Sequence, residues 1–223
     1  MPARRADAAV KEGRRAAIMH AKKDFSARDK EDATPSVVVF TVGHSTRSLD
    51  EFVLLLKAHG VQRVLDIRTI PRSRHNPQFN REGLAKFLRN RHINYRHMKA
   101  LGGLRHARVD SPNRGWQNAS FRGFADYMRT PEFKRALQIL IDLAIRKRTA
   151  IMCAEAVPWR CHRSLIGDAL TVRGIEVRDI FSNKNVRLHR MTPMARVRGG
   201  EITYPGSSKE RAMGHAEPDE HRE

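Results

Sequence analysis

Between residues 37 and 181, short apolar runs alternate with segments whose apolar residues recur every three or four positions. The apolar runs have the length and β-branched content of buried strands, and they lie at 37–42, 61–67, 93–98, 149–153 and 175–181. The segments between them have helical periodicity, and one starts with the capping box Ser48-Leu49-Asp50-Glu51. This order predicts an α/β fold of three layers, with a mostly parallel sheet flanked by helices.

The alternating pattern predicts one domain with a polar segment on each side. It covers residues 36–182, whereas 1–35 reads as a basic flexible tail and 183–223 as a polar C-terminal tail. No apolar run approaches the roughly 20 residues of a membrane helix, and the first thirty residues lack a secretory apolar core. Two cysteines exclude a disulfide framework. We therefore expect a cytoplasmic protein with no membrane partner, and the sequence leaves its oligomeric state open.

The positive charge of the chain is concentrated in one part of the predicted domain. The formal net charge is +19, and residues 68–114 contain twelve Lys and Arg residues against only Glu82 and Asp110. Such a charge attracts phosphates, nucleotides or nucleic acid, although it also serves solubility. The sequence thus predicts an anionic ligand, with a nucleotide or a nucleic acid as the main possibilities.

Polar residues stand at the carboxyl ends of three of the predicted strands. They form the motifs Gly43-His44-Ser45, Asp66-Ile67-Arg68 and Cys153-Ala154-Glu155. Because ligands of parallel α/β sheets bind at the carboxyl ends of the strands, we expect these motifs to share one site. Strand periodicity puts Asp66 and Arg68 on the same face, where they would frame one pocket.

The densest group of reactive residues is Cys153 with Cys161-His162-Arg163. Cys161 stands where a helix should begin, and the helix dipole lowers a thiol pKa there, which makes Cys161 a candidate thiolate. Cys153 reads either as a second reactive thiol or as a core residue. Glu155 reads either as a general acid or base or as the ion-pair partner of an arginine, Arg68 or Arg163.

Two other chemistries fit this group less well. A cysteine phosphatase needs Cys-x5-Arg, but Arg160 lies one position too far from Cys153, and Glu155 would repel a phosphate. A metal site built on Cys153, Cys161 and His162 lacks the spacing of a zinc knuckle. The sequence contains no nucleotide-binding fingerprint and indicates no particular cofactor.

The order of the motifs resembles the domain-of-unknown-function family 488 over about residues 37–182. The matching stretches are Thr41-Val42-Gly43-His44-Ser45, Asp66-Ile67-Arg68 with Pro71 and Ser73-Arg74, Leu101-Gly102-Gly103, residues 121–128, Met152-Cys153-Ala154-Glu155 with Pro158, and Cys161-His162-Arg163. The resemblance implies a single α/β domain with these polar motifs gathered at one site. It brings no defined activity.

The leading hypothesis is an enzyme that acts on a phosphorylated or nucleic-acid-derived ligand at the strand ends. Its catalytic candidates are Cys153, Glu155, Cys161, His162 and His44. Its ligand-binding candidates are Ser45, Asp66, Arg68, Arg74, Arg122 and Arg163. One alternative is a non-catalytic nucleic-acid-binding module that uses the 68–114 segment, and another is a metal-binding protein that uses Cys153, Cys161 and His162.

Overall fold

A six-stranded sheet forms the centre of the computed structural model, which describes residues 37–206. The strands are β1 (Val38–Gly43), β2 (Arg63–Asp66), β3 (Asn94–His97), β4 (Thr149–Cys153), β5 (Glu176–Ile180) and β6 (Val186–Leu188). Their order is β3-β2-β4-β1-β5-β6, in which β1 to β5 are parallel and β6 is antiparallel to β5. The predicted mostly parallel α/β sheet is confirmed. The predicted N-terminal tail lies outside the described residues.

Five α-helices connect and cover the strands within this range. They are α1 (Leu49–Ala58), α2 (Arg81–Arg89), α3 (Ala119–Tyr127), α4 (Pro131–Arg146) and α5 (Arg163–Thr171). The capping box forms as predicted, because the Glu51 N–H donates to Ser48 Oγ and the Ser48 N–H donates to Glu51 Oε2. No helix within residues 37–206 is both long enough and apolar enough to span a bilayer.

Successive strand residues point to opposite faces of the sheet and so build two cores. Val39 and Ile151 belong to a core that includes residues of α3, α4 and α5. Phe40 and Ala150 belong to a second core, against α1 and α2. Helices therefore cover both faces, which gives the three layers.

The chain continues in the fold past residue 182, where the sequence predicts a polar tail. Residues 183–206 contribute β6 to the sheet and a hairpin of β7 (Arg196–Arg198) and β8 (Glu201–Thr203). The tail pattern arises because these strands are short and this segment is anchored by polar contacts more than by apolar ones. Ile202 and Tyr204 are exceptions, since both side chains are buried in the core. The Tyr204 hydroxyl also donates to Asp168 Oδ2 at 2.8 Å.

The strand order brings the three polar motifs together. β4 lies between β1 and β2, and Gly43 pairs in register with Cys153 while Asp66 pairs with Met152. The backbone continues this register beyond β1, since the Ser45 N–H donates to the carbonyl of Ala154. The carboxyl ends of β1, β2 and β4 therefore meet at one edge of the sheet, as the sequence predicts.

Candidate functional site

A cavity of about 340 Å³ opens at this edge of the sheet. Six of the candidate residues line it, namely His44, Arg68, Cys153, Glu155, Cys161 and His162. Arg72 and Arg160 also line it and are exposed to solvent. Neither of these arginines was among the predicted ligand-binding residues. The only feature of the sequence that suggests a ligand-binding role for them is their position in basic loops, and neighbouring arginines share that feature.

Arg163 carries a positive charge in the interior behind this cavity. Its side chain is only 1% exposed, and Nη1 donates to Cys153 Sγ at 2.8 Å and to the carbonyl of Glu155 at 2.6 Å. Nη2 donates to the carbonyl of Ala156 at 3.0 Å. No carboxylate within residues 37–206 forms an ion pair with it. Because a buried charge without a counter-charge is costly, the thiolate form of Cys153 is the natural partner of Arg163.

The two cysteines lie side by side and are both free thiols. Their sulfur atoms are 2.6 Å apart, and the Cys161 thiol donates to Cys153. Burial alone would raise the pKa of Cys153, but the hydrogen bond from Cys161 and the charge of Arg163 lower that pKa to about 7. Burial and the neighbouring Cys153 raise the pKa of Cys161. Above about pH 7 the pair therefore holds one proton, mostly on Cys161, and one negative charge, mostly on Cys153.

This assignment reverses the expectation that Cys161 is the thiolate. Cys161 does precede α5, and the backbone N–H of Arg163 approaches its sulfur at 3.5 Å. The side chain of Arg163, however, turns back towards the end of β4 and donates to Cys153. The direct contact with a guanidinium outweighs the weak contact at the helix start.

The ring of His162 is neutral and fixed in orientation. Nε2 lies 3.0 Å from the carbonyl of Leu101 and 3.2 Å from that of Ile67, so Nε2 carries the proton. Nδ1 faces Cys161 Sγ at 3.6 Å with its lone pair. Burial lowers the pKa of His162 to about 4. A Cβ at Gly103 would lie 2.4 Å from Nδ1, so a glycine at that position leaves room for the ring.

His44 lies in the wall of the cavity, and each of its two ring nitrogens contacts a neighbouring group. Nδ1 lies 2.8 Å from the carbonyl of Ser45, and Nε2 lies 3.3 Å from Nη1 of Arg68. The ring stacks on Phe79 with a centroid distance of 4.1 Å, and burial lowers its pKa to about 4. These contacts favour a positioning role for His44 over that of a proton carrier. Ser45 has a φ of 52° and lies outside the lining of the cavity.

Asp66 and Arg68 form a buried ion pair, so they do share a face. Nε and Nη2 of Arg68 donate to the two carboxylate oxygens at 2.9 and 2.6 Å, and the Tyr95 hydroxyl donates to the same carboxylate at 2.6 Å. Arg68 lines the cavity, whereas Asp66 lies behind it. The charge of Arg68 is thus already balanced inside the protein.

The remaining candidates occupy less central positions. Glu155 is exposed at the rim, and it contacts Arg163 through its backbone carbonyl and not through its carboxylate. The expected ion pair of Glu155 with Arg68 or Arg163 is therefore absent among the described residues. Arg74 and Arg122 do not line the cavity, although Ser120 and Phe121 next to Arg122 do.

The geometry offers little support for a metal centre. Within residues 37–206, no group of three or more His, Cys, Asp and Glu side chains is arranged to hold a metal ion. Nε2 of His162 is turned towards two carbonyls, away from the sulfur atoms. Cys153, Cys161 and His162 therefore fit thiol chemistry better than metal ligation.

Comparison with known proteins gives one match. No curated protein and no solved structure matches the chain. The family described as Domain of unknown function DUF488 matches residues 48–170, which is more than half of the chain. The matched region contains the Asp66-Arg68 pair, both cysteines, His162 and Arg163, whereas Gly43-His44-Ser45 precedes it. The predicted resemblance is thereby confirmed, and the chain belongs to the DUF488 family.

Proposed function

We propose that the protein is an enzyme whose nucleophile is the Cys153 thiolate and whose substrate is a phosphorylated or nucleic-acid-derived anion bound in the cavity at the strand ends. The observation that supports this most is the contact between Cys153 Sγ and the buried Arg163. A thiolate is a far stronger nucleophile than a thiol, and a buried cation is one of the few ways to keep it ionised inside a protein.

The two cysteines have different roles in the proposed reaction: Cys153 is the nucleophile and Cys161 is the proton donor. Cys153 Sγ forms a bond to the electrophilic atom of the substrate while the bond to the leaving group breaks, and the leaving group keeps that electron pair. The leaving group then takes the proton of the Cys161 thiol. Cys161 becomes the anion beside Arg163, whose charge already favours that form. Arg163 therefore remains paired with a negative charge after Cys153 has lost its own.

The covalent intermediate is resolved by water. A water oxygen bonds to the electrophilic atom while its bond to Cys153 Sγ breaks, and Cys153 leaves as a thiolate. One proton of that water returns to Cys161, and the hydroxyl stays with the product. The site ends in its starting state, with one thiolate and one thiol.

The charge of the rim supports an anionic substrate. Arg72 and Arg160 are exposed at the cavity against the single carboxylate of Glu155. Arg68 adds little, because Asp66 balances it. The two exposed guanidinium groups are suited to a phosphate that enters from solvent.

The test is a search for substrate consumption that depends on Cys153. Ribonucleoside and deoxyribonucleoside 5′-monophosphates and ribose 5-phosphate are incubated with wild type, Cys153→Ser and Arg74→Gln, and products are followed by mass spectrometry. We expect wild type and Arg74→Gln, which alters an arginine outside the cavity, to consume the same compound. Cys153→Ser should lose at least about a hundredfold in rate. Equal consumption by Cys153→Ser, or consumption of none of these compounds, would contradict the proposal.

The nucleic-acid-binding alternative has less support from the structure. Arg105 lies over the ring of Tyr127 and donates to two carbonyls, and Arg108 pairs with Asp110. Two arginines of the 68–114 segment are thus engaged within the protein. Nucleic-acid binding through this segment would instead predict a steep salt dependence that Cys153→Ser leaves unchanged.

A further inference from the structure

A second and larger cavity, of about 920 Å³, lies next to the turn formed by Pro158–Arg160. Pro158 and Trp159 belong to its wall, whereas Arg160 belongs to the wall of the Cys153 site. We propose that this second cavity binds a nucleotide, with the base against the aromatic side chains and the phosphate on the arginines. This proposal is independent of the thiol chemistry at Cys153.

Aromatic rings form the part of the wall that a base would contact. Trp159 is 62% exposed, which is unusual for so large an apolar side chain, and its ring lies 6.1 Å from that of Phe181. Trp116 is fixed by packing against Phe121 and Tyr204, with centroid distances of 4.7 and 5.7 Å. Rigid or exposed aromatic faces of this kind stack on bases at little entropic cost.

The charges around the cavity favour a phosphate. Arg187 and Arg190 line it and are exposed, and neither forms an ion pair with a carboxylate of residues 37–206. His189 and Asp179 also line it, but they contact each other at 3.1 Å, and Asp179 accepts a hydrogen bond from Thr41 as well. The arginines therefore remain available to an anion. The volume lies within the range of small-molecule sites, which is roughly 300–1,000 Å³.

The chain offers its own optical probe of this cavity. It has two tryptophans, Trp116 and Trp159, and both line the cavity. We would titrate the full chain with AMP, GMP, CMP and UMP, with adenosine, and with single-stranded oligo-deoxyadenylate, and follow tryptophan fluorescence. We expect at least one monophosphate to change the fluorescence saturably, and adenosine to bind more weakly than AMP because it lacks the phosphate.

Four variants make the result specific. Trp116→Phe replaces the indole by a smaller ring that offers a base less stacking surface, and it should weaken binding about five- to tenfold, read from Trp159. Arg190→Gln should weaken the monophosphate about tenfold but leave adenosine unchanged. Arg135→Gln, on α4 and outside the cavity, should bind as wild type does. Cys153→Ser should also bind normally, so failure of this site and failure of the thiol chemistry are distinguishable.

The outcomes distinguish a free nucleotide from a nucleotide that is part of a nucleic-acid strand. Saturable binding of a monophosphate identifies a free nucleotide, and binding of the oligonucleotide alone, weakened by Trp116→Phe, identifies a nucleotide within a strand. Both results support the proposal. It is overturned if neither probe changes the fluorescence, or if Arg135→Gln weakens binding as much as Arg190→Gln does.

Discussion

At the scale of single residues, the central feature is a buried cation that is balanced by a sulfur atom. Arg163 and Cys153 lie ten positions apart, and the sequence already brings them to one site because Cys153 ends β4 and Arg163 begins α5. The sequence favours Cys161 as the thiol that ionises, whereas the contact with Arg163 favours Cys153. That contact depends on the direction of a long side chain, which periodicity and spacing do not encode.

A glycine at the end of β1 lets this arrangement form. A Cβ on Gly43 would lie 1.7 Å from the carbonyl oxygen of Glu155 and 2.9 Å from Nη1 of Arg163. Gly43→Ala must therefore push the loop after β4 away from β1. We expect it to lower the free energy of unfolding by about 3 kcal/mol in guanidinium chloride titrations.

Gly83→Ala is the matched control for this prediction. Gly83 lies in α2, and a Cβ there would meet no atom within 4 Å. Alanine should stabilise the helix by about 0.5–1 kcal/mol, because it restricts the unfolded chain and favours helix. The packing argument is wrong if Gly43→Ala is as stable as Gly83→Ala.

At the scale of elements, a histidine joins the C-terminal segment to α5 and β5. His189 lies 3.0 Å from Asp168 Oδ1 of α5 and 3.1 Å from Asp179 Oδ2 of β5. Burial lowers the pKa of His189, but the hydrogen bonds and charges of the two carboxylates raise it to about 9. The protonated ring thus bridges two elements that a neutral ring would hold less firmly.

This bridge predicts a pH-dependent contribution to stability. The pKa of His189 is higher in the folded state than its ordinary value of 6.5, so the stabilisation is complete below 6.5 and is lost as the pH rises through about 9. We expect His189→Gln to be destabilised most near pH 6. The difference from wild type in unfolding free energy should shrink towards about pH 10. A difference that is constant or grows with pH would exclude a protonated His189.

The elements differ in how far the sequence predicts them. β1 to β5 and the helices have apolar periods that tertiary packing preserves, and Ser48 caps its helix as expected. β6, β7 and β8 have three residues each, too few for a period to emerge. Their attachment depends on distant polar partners, such as Asn113 Oδ1, which accepts the N–H of Tyr204.

At the scale of the whole molecule, the sheet order brings the strand-end motifs into one site. Parallel strands place their carboxyl ends at a common edge, so the sequence could predict that β1, β2 and β4 supply one cavity. The second cavity has no such signature. Its wall combines Trp116 with some of the residues between 158 and 164 and between 179 and 194, and only the folded chain brings these together. The high positive charge predicts an anion but does not indicate which arginines meet it.

The most direct test of the central claim is the ultraviolet absorbance of the thiolate as a function of pH, in folded protein. We expect wild type to show a thiolate with a midpoint near 7, which Cys153→Ser removes and Cys161→Ser retains because serine still donates a hydrogen bond. Arg163→Leu should raise the midpoint above 9, because burial then acts unopposed by charge, and Arg163→Lys should raise it less. A wild-type midpoint at 9 or above, or a midpoint near 7 that persists in Cys153→Ser, would contradict the assignment of Cys153 as the nucleophile.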